Sequence, residues 1–146
     1  MAQNVHDNHL GIKGWAFGGS WSFERYLYTL HRLTGLGILA YFLMHIFVTT
    51  ARVFGPDSWN TLLGEHGFLK MTVFKIGELM VFAAFGFHAF NGIRLALVEL
   101  GFLVGKPIEP VYPYKTCLNT SRAATAVLML LAAVVIVMGG WDFFMD

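Results

Sequence analysis

Apolar residues run almost unbroken through three stretches of the chain, roughly Leu33 to Arg52, Val73 to Glu99 and Ala123 to Trp141, and polar residues collect between them. Each stretch comes close to the ~20 residues an α-helix needs to cross a ~30 Å hydrocarbon core. The pattern predicts a single all-α membrane domain with transmembrane helices over about 30–53, 71–99 and 122–142. Residues 1–27 read as a polar tail. The connection GPDSWNTLLGEHG reads as a short loop in which Pro56 and Gly67 break any continuing helix. Residues 100–121 carry Pro107, Pro110 and Pro113 and read as an ordered or extended loop. Neither an internal repeat nor a low-complexity tract is evident.

Three spans place the two termini on opposite sides of the bilayer. Lys13, Arg25 and Arg32 precede the first span, and Lys106, Lys115 and Arg122 lie between the second and third, all on one side. The other side has only Arg52, Lys70 and Lys75, with Asp142 and Asp146 at the C-terminal end, so the N-terminus is expected in the cytoplasm. Trp21, Tyr26 and Tyr28 at one edge, and Trp59 and Trp141 at the other, read as interfacial aromatics.

Composition supports the membrane class: 56% of residues are hydrophobic, and mean hydropathy is +0.59. A net charge of +1 argues against a nucleic-acid footprint, which needs a basic face. Cys117 stands alone, so the chain has no disulfide framework, no cysteine-based zinc site and no ligand set for an iron–sulfur cluster. Dinucleotide, phosphate-loop and nucleophile-elbow motifs are missing. The N-terminal MAQNVHDNHLGIKGW has no apolar core and is not arginine-rich, so it reads as a retained tail and not as a signal or transit peptide.

Ionisable groups inside the apolar stretches are the candidate chemistry. His88, in AFGFHAFNG, has Ala84 and Gly92 on its own helix face at i−4 and i+4, which would leave room for a flat ligand against the backbone. Gly86 points to the other side. Two readings stand: a histidine hydrogen-bonded to a neighbouring helix, or an axial ligand to haem iron. His45 lies thirteen residues beyond Arg32, ~20 Å along the helix, whereas His88 is six residues from Arg94, ~9 Å. The two histidines therefore fall at different depths and would not share one iron. A hydroxyl of Tyr41 or Thr49, one turn either side of His45, could satisfy it structurally. Lys75 and Glu78 are spaced to pair with each other, and the third span, uninterrupted by ionisable residues, reads as scaffold.

LHRLTG before the first span and HAFNGIR in the second together resemble the cytochrome b membrane-anchor subunit of succinate dehydrogenase (succinate:quinone oxidoreductase, complex II of the tricarboxylic acid cycle). The resemblance implies a place in a larger haem-binding bundle, with His88 as haem axial ligand. It gives His31, Arg32 and Arg94 a haem-propionate or quinone-site role. Family members bind quinone partly through a serine three residues ahead of the His-Arg pair; Tyr28 stands there, with Thr29 and Ser22 as nearby hydroxyls. Leu95 replaces a histidine often found after the arginine, and Glu99 replaces a later aspartate. Some members hold two haems, and His45 fits the second. The implied cofactors are one or two haems b, shared with a second membrane-anchor subunit, and quinone is the substrate. The remaining partners are an iron–sulfur subunit, a flavoprotein subunit that carries the succinate chemistry, and the lipid bilayer. The implied place is a prokaryotic cytoplasmic membrane. A fumarate reductase anchor working in reverse, or a haem-free structural anchor, are the alternatives.

Overall fold

A computed structural model describes residues 11–12, 23–104 and 119–145. Helix α1 covers Phe23–Thr50, α2 Pro56–Leu63, α3 Thr72–Glu99 and α4 Asn119–Met145, with 3-10 turns at Ala51–Phe54 and Phe68–Lys70. The three helices long and apolar enough to cross a membrane are Phe23–Phe54, Thr72–Glu99 and Ser121–Met145. At ~1.5 Å per residue, α3 with its 28 residues is ~42 Å long, more than the ~30 Å core requires. Tilt or protrusion into the headgroup layer takes up the excess. Residues 23–27, expected in the tail, are the first turns of α1, which therefore includes Glu24 and Arg25.

The connection after α1 departs from the expected loop. Gly55 at φ 99° ends the first span in a conformation that favours glycine, and Pro56 then occupies the first turn of α2. Proline there starts a helix instead of breaking one, because its missing N–H would have had no intrahelical partner. Thr49 and Thr50 at the end of α1 turn their hydroxyls back onto the carbonyls of His45 and Ile46, which satisfies them without a partner helix.

Helix α3 lies in the middle and packs against both α1 and α4. The outer two helices meet at one end, where Arg122 Nε donates to Glu24 Oε1 at 3.0 Å. Small residues let α3 and α4 approach: a Cβ on Gly86 would stand 3.2 Å from Ile136, and one on Gly139 would overlap the Phe82 ring. Gly86 thus faces α4, away from His88, as its position in the helix implies. The interior is polar for its size, with Thr29, Asn91, Arg94, Ser121 and Thr125 buried beside Leu27, Ile38, Ala51 and Ala132. Leu39, Met80 and Leu130 point outward. A protein in water would reverse this; a bilayer solvates the apolar faces and leaves the helices to pair their polar groups with one another.

Candidate functional site

Two clusters of polar side chains lie at different levels along the bundle. The first is at the end where the outer helices meet. On α1, His31, Thr34 and Gly35 share a face through i, i+3 and i+4 spacing, and His88 of α3 packs against that face. The His88 and His31 rings stack with centroids 3.8 Å apart and planes 10° from parallel. His88 Nδ1 lies 3.1 Å from the His31 carbonyl oxygen and 3.3 Å from Thr34 Oγ1. Its other ring nitrogen takes no hydrogen bond among the described residues. A Cβ on Gly35 would sit 2.9 Å from His88 Cε1, so glycine is what lets the ring reach α1.

The space beside His88 is therefore distributed differently from the sequence expectation. Gly92, expected to clear a floor for a flat ligand beside His88, instead faces His31, whose Cε1 would be 3.4 Å from a Cβ there. The close approach to His88 comes from Gly35 on the facing helix, which spacing along α3 cannot reveal. His31 Nδ1 is buried and has no hydrogen-bond partner among the described residues. An imidazole nitrogen left this way costs ~1–3 kcal/mol.

One turn further toward the end of the bundle, Asn91 is fully buried and links α1 to α3. Its Nδ2 donates to the Leu27 carbonyl at 3.3 Å, and its Oδ1 accepts from Arg94 Nε at 2.9 Å. A carbonyl can only accept and a guanidinium can only donate, so the amide has one consistent orientation. Asn91 thereby fixes the Arg94 guanidinium, itself buried. Arg94 lines a cavity of about 490 Å³ together with Arg32, Tyr28, Thr29, Glu24 and Ser121. The Arg32 guanidinium lies 4.2 Å from the Tyr28 ring centroid, a cation–π contact that gives the tyrosine a part in holding the arginine.

Of the residues picked from sequence, the structure gathers Tyr28, Thr29, Arg32 and Arg94 around this cavity and sets His31 against His88 beside it. Ser22 lies outside the described residues, as does most of the 100–121 connection. Asn91 went unassigned, although an amide in an apolar helix three residues before an arginine was a usable signal. Ser121 and Arg122 had no such signal. They show that the first turn of α4, expected as the end of the 100–121 connection, contributes to the polar end.

The second cluster lies at the opposite end. His45 lines a mostly apolar cavity of about 350 Å³ with Tyr41, Thr49, Trp59 and Glu78. His45 lines this cavity, whereas His88 is set against His31, Thr34 and Gly35, in keeping with the depth offset. Tyr41 touches the His45 ring at a tilt, centroids 5.6 Å apart. Thr49, a candidate to satisfy that ring, bonds the backbone instead. The expected Lys75–Glu78 pair is replaced too: Lys75 Nζ lies 5.2 Å from the Phe143 ring on α4, and Glu78 lines the His45 cavity.

The family model for the succinate dehydrogenase/fumarate reductase transmembrane subunit matches residues 16–139. The chain is 31% identical over 74 residues to a succinate dehydrogenase hydrophobic membrane anchor subunit of Halobacterium salinarum, covering 51% of this chain and 55% of that protein. It is 28% identical over 81 residues to the succinate dehydrogenase 2 membrane subunit SdhC of Mycobacterium tuberculosis, covering 56% of this chain and 54% of that one. The matches thus span about half the length of these curated relatives. No solved structure matches the chain.

Proposed function

The chain belongs to the succinate dehydrogenase/fumarate reductase transmembrane subunit family, and from that premise we propose that it is a haem b-binding membrane anchor that passes electrons from an iron–sulfur subunit to membrane quinone. The observation that carries this reading is the His88 ring, which has Nδ1 engaged by α1 and its other nitrogen, Nε2, without a hydrogen bond among the described residues. A histidine ligand to iron needs that arrangement. Haem b, when bound, supplies a one-electron carrier within the bilayer.

His88 offers one axial nitrogen. His31 cannot offer the second, because two rings stacked face to face at 3.8 Å cannot aim nitrogens at one iron from opposite sides. The second ligand therefore comes from another chain, a second membrane-anchor subunit. The buried Nδ1 of His31 has a hydrogen bond to give or receive. Arg32 and Arg94 supply forked donors that suit a propionate carboxylate or a quinone carbonyl. Tyr28 and Thr29 line the same cavity and are the quinone contacts this reading assigns. His45, in its separate cavity, is the ligand for a second haem toward the other face.

In this reading succinate chemistry lies on separate flavoprotein and iron–sulfur subunits. They dock on the side bearing Arg25, Arg32 and Arg122, the cytoplasmic side of a prokaryotic membrane. The test is a reduced-minus-oxidised absorption spectrum of the purified complex. Low-spin b-type bands are expected, and their absence would leave a haem-free structural anchor.

A further inference from the structure

Thr34 stands between His31 and Gly35 on the face of α1 that meets His88, and its hydroxyl has a defined task. We infer that the Thr34 hydroxyl, with the main-chain oxygen of His31, holds the His88 proton on Nδ1 and so sets how strongly Nε2 donates to a bound iron. The iron half of this inference rests on the haem reading of His88; the proton placement does not.

Thr34 Oγ1 lies 2.9 Å from the Leu30 carbonyl oxygen and 3.0 Å from that of His31, the usual back-bonding of a helical threonine. Its one hydrogen is taken by those oxygens, which only accept. What Oγ1 turns toward His88 Nδ1, 3.3 Å away, is a lone pair. The other atom facing Nδ1 is the His31 carbonyl oxygen at 3.1 Å, again only an acceptor. Nδ1 thus faces two acceptors. Were it unprotonated, it would oppose the carbonyl lone pairs at 3.1 Å with nothing between them, even if the threonine gave up its helical bonds to donate. Nδ1–H is the consistent tautomer, and a neutral imidazole has only one such proton, so Nε2 is bare.

Three features keep the ring in this state. The His31 ring covers one face of it, Gly35 admits its edge, and back-bonding limits the Thr34 side chain to rotamers that keep Oγ1 near Nδ1. Hydrogen bonding at Nδ1–H also raises the basicity of Nε2. The His31 carbonyl would be there with any residue at position 31. The hydroxyl is the part a substitution can remove, so Thr34 is a positioning residue for His88.

Two measurements on Thr34→Val and Thr34→Ser test this. Valine keeps the shape and loses the hydroxyl; serine keeps the hydroxyl. In solid-state NMR of the full chain with 15N-labelled histidine in bilayers, the parent and Thr34→Ser should show His88 protonated at Nδ1 alone. Thr34→Val should show a weaker Nδ1 hydrogen bond, with the proton still on Nδ1 opposite the His31 carbonyl. In the purified complex, the midpoint potential of the His88 haem should rise in Thr34→Val, because a weaker donor stabilises ferric iron less, and return in Thr34→Ser. An Nε2-protonated His88 in the parent, or a valine variant matching the parent in both measurements, overturns the inference. A parent complex without low-spin haem removes the haem reading and the iron half with it, while the tautomer result still decides the proton placement.

Discussion

His88 and His45 are both imidazoles in apolar helices, yet their surroundings differ in kind. Around His88, atoms from two helices engage Nδ1, cover one ring face and leave space at Gly35 for the edge. Around His45 the ring is largely exposed and meets Tyr41 at a tilt within an apolar cavity. The first site is preorganised by this chain alone, and ligation there would cost little reordering. The second leaves the His45 ring without a hydrogen bond among the described residues. The same contrast appears in charge: the His88 end fixes Arg94 through Asn91, while at the other end the exposed Lys75 rests on the half-buried Phe143 ring.

The largest effect that probes this difference comes from glycines. Gly35→Ala puts a methyl 2.9 Å from His88 Cε1, so the ring must move, and most of the haem bound at that end should be lost. Gly77→Ala, in the His45 cavity, has nothing within 4 Å of the new methyl and should leave haem content unchanged. Haem per anchor protein, read from pyridine haemochrome spectra, checks both. Equal effects at the two positions would erase the distinction between a built and an open site.

Arg32→Leu comes next. Losing a charge-assisted hydrogen bond worth ~1.5–3 kcal/mol predicts about a 10- to 100-fold fall in quinone reduction. Succinate oxidation by a soluble dye should hold, since the lesion lies beyond the iron–sulfur relay. Parallel losses in the two assays would mean defective assembly instead. Asn91→Leu should destabilise the assembled anchor by ~1–3 kcal/mol, because Arg94 Nε and the Leu27 carbonyl lose their partner in a buried setting. The smallest effect is expected at the opposite end: Lys75→Ala removes an exposed cation–π contact of ~0.5–1 kcal/mol. Thermal unfolding in detergent, comparing the last two variants, should rank them in that order.

The spans were legible because a bilayer imposes a length and an apolar composition on any helix that crosses it. Helix α2 was not, since Pro56 carries opposite meanings inside a helix and at its first turn, and only the left-handed Gly55 before it decides between them. At the site, residues sharing a helix face can be grouped from i, i+3 and i+4 spacing, as His31, Thr34 and Gly35 can. Which groups face one another across helices could not. The stack of His31 on His88, the Thr34 contact, and the exchange of roles between Gly35 and Gly92 all depend on the register of α1 against α3, which no single helix encodes. The Lys75–Glu78 pair failed for the same reason: Phe143 on α4 offered the lysine another partner.

If His88 holds haem iron, it does so from a site this chain has already built. Haem stoichiometry per anchor, measured on the parent complex, on His88→Ala and on His45→Ala, tests it most directly. The account predicts that His88→Ala loses the low-spin haem at the Arg32 end while the anchor stays inserted, since the helix keeps its apolar surface. His45→Ala should lose a second haem and leave the first intact. A His88→Ala complex with undiminished low-spin haem contradicts the account, and a parent ratio near one that His45→Ala leaves unchanged returns His45 to a structural role.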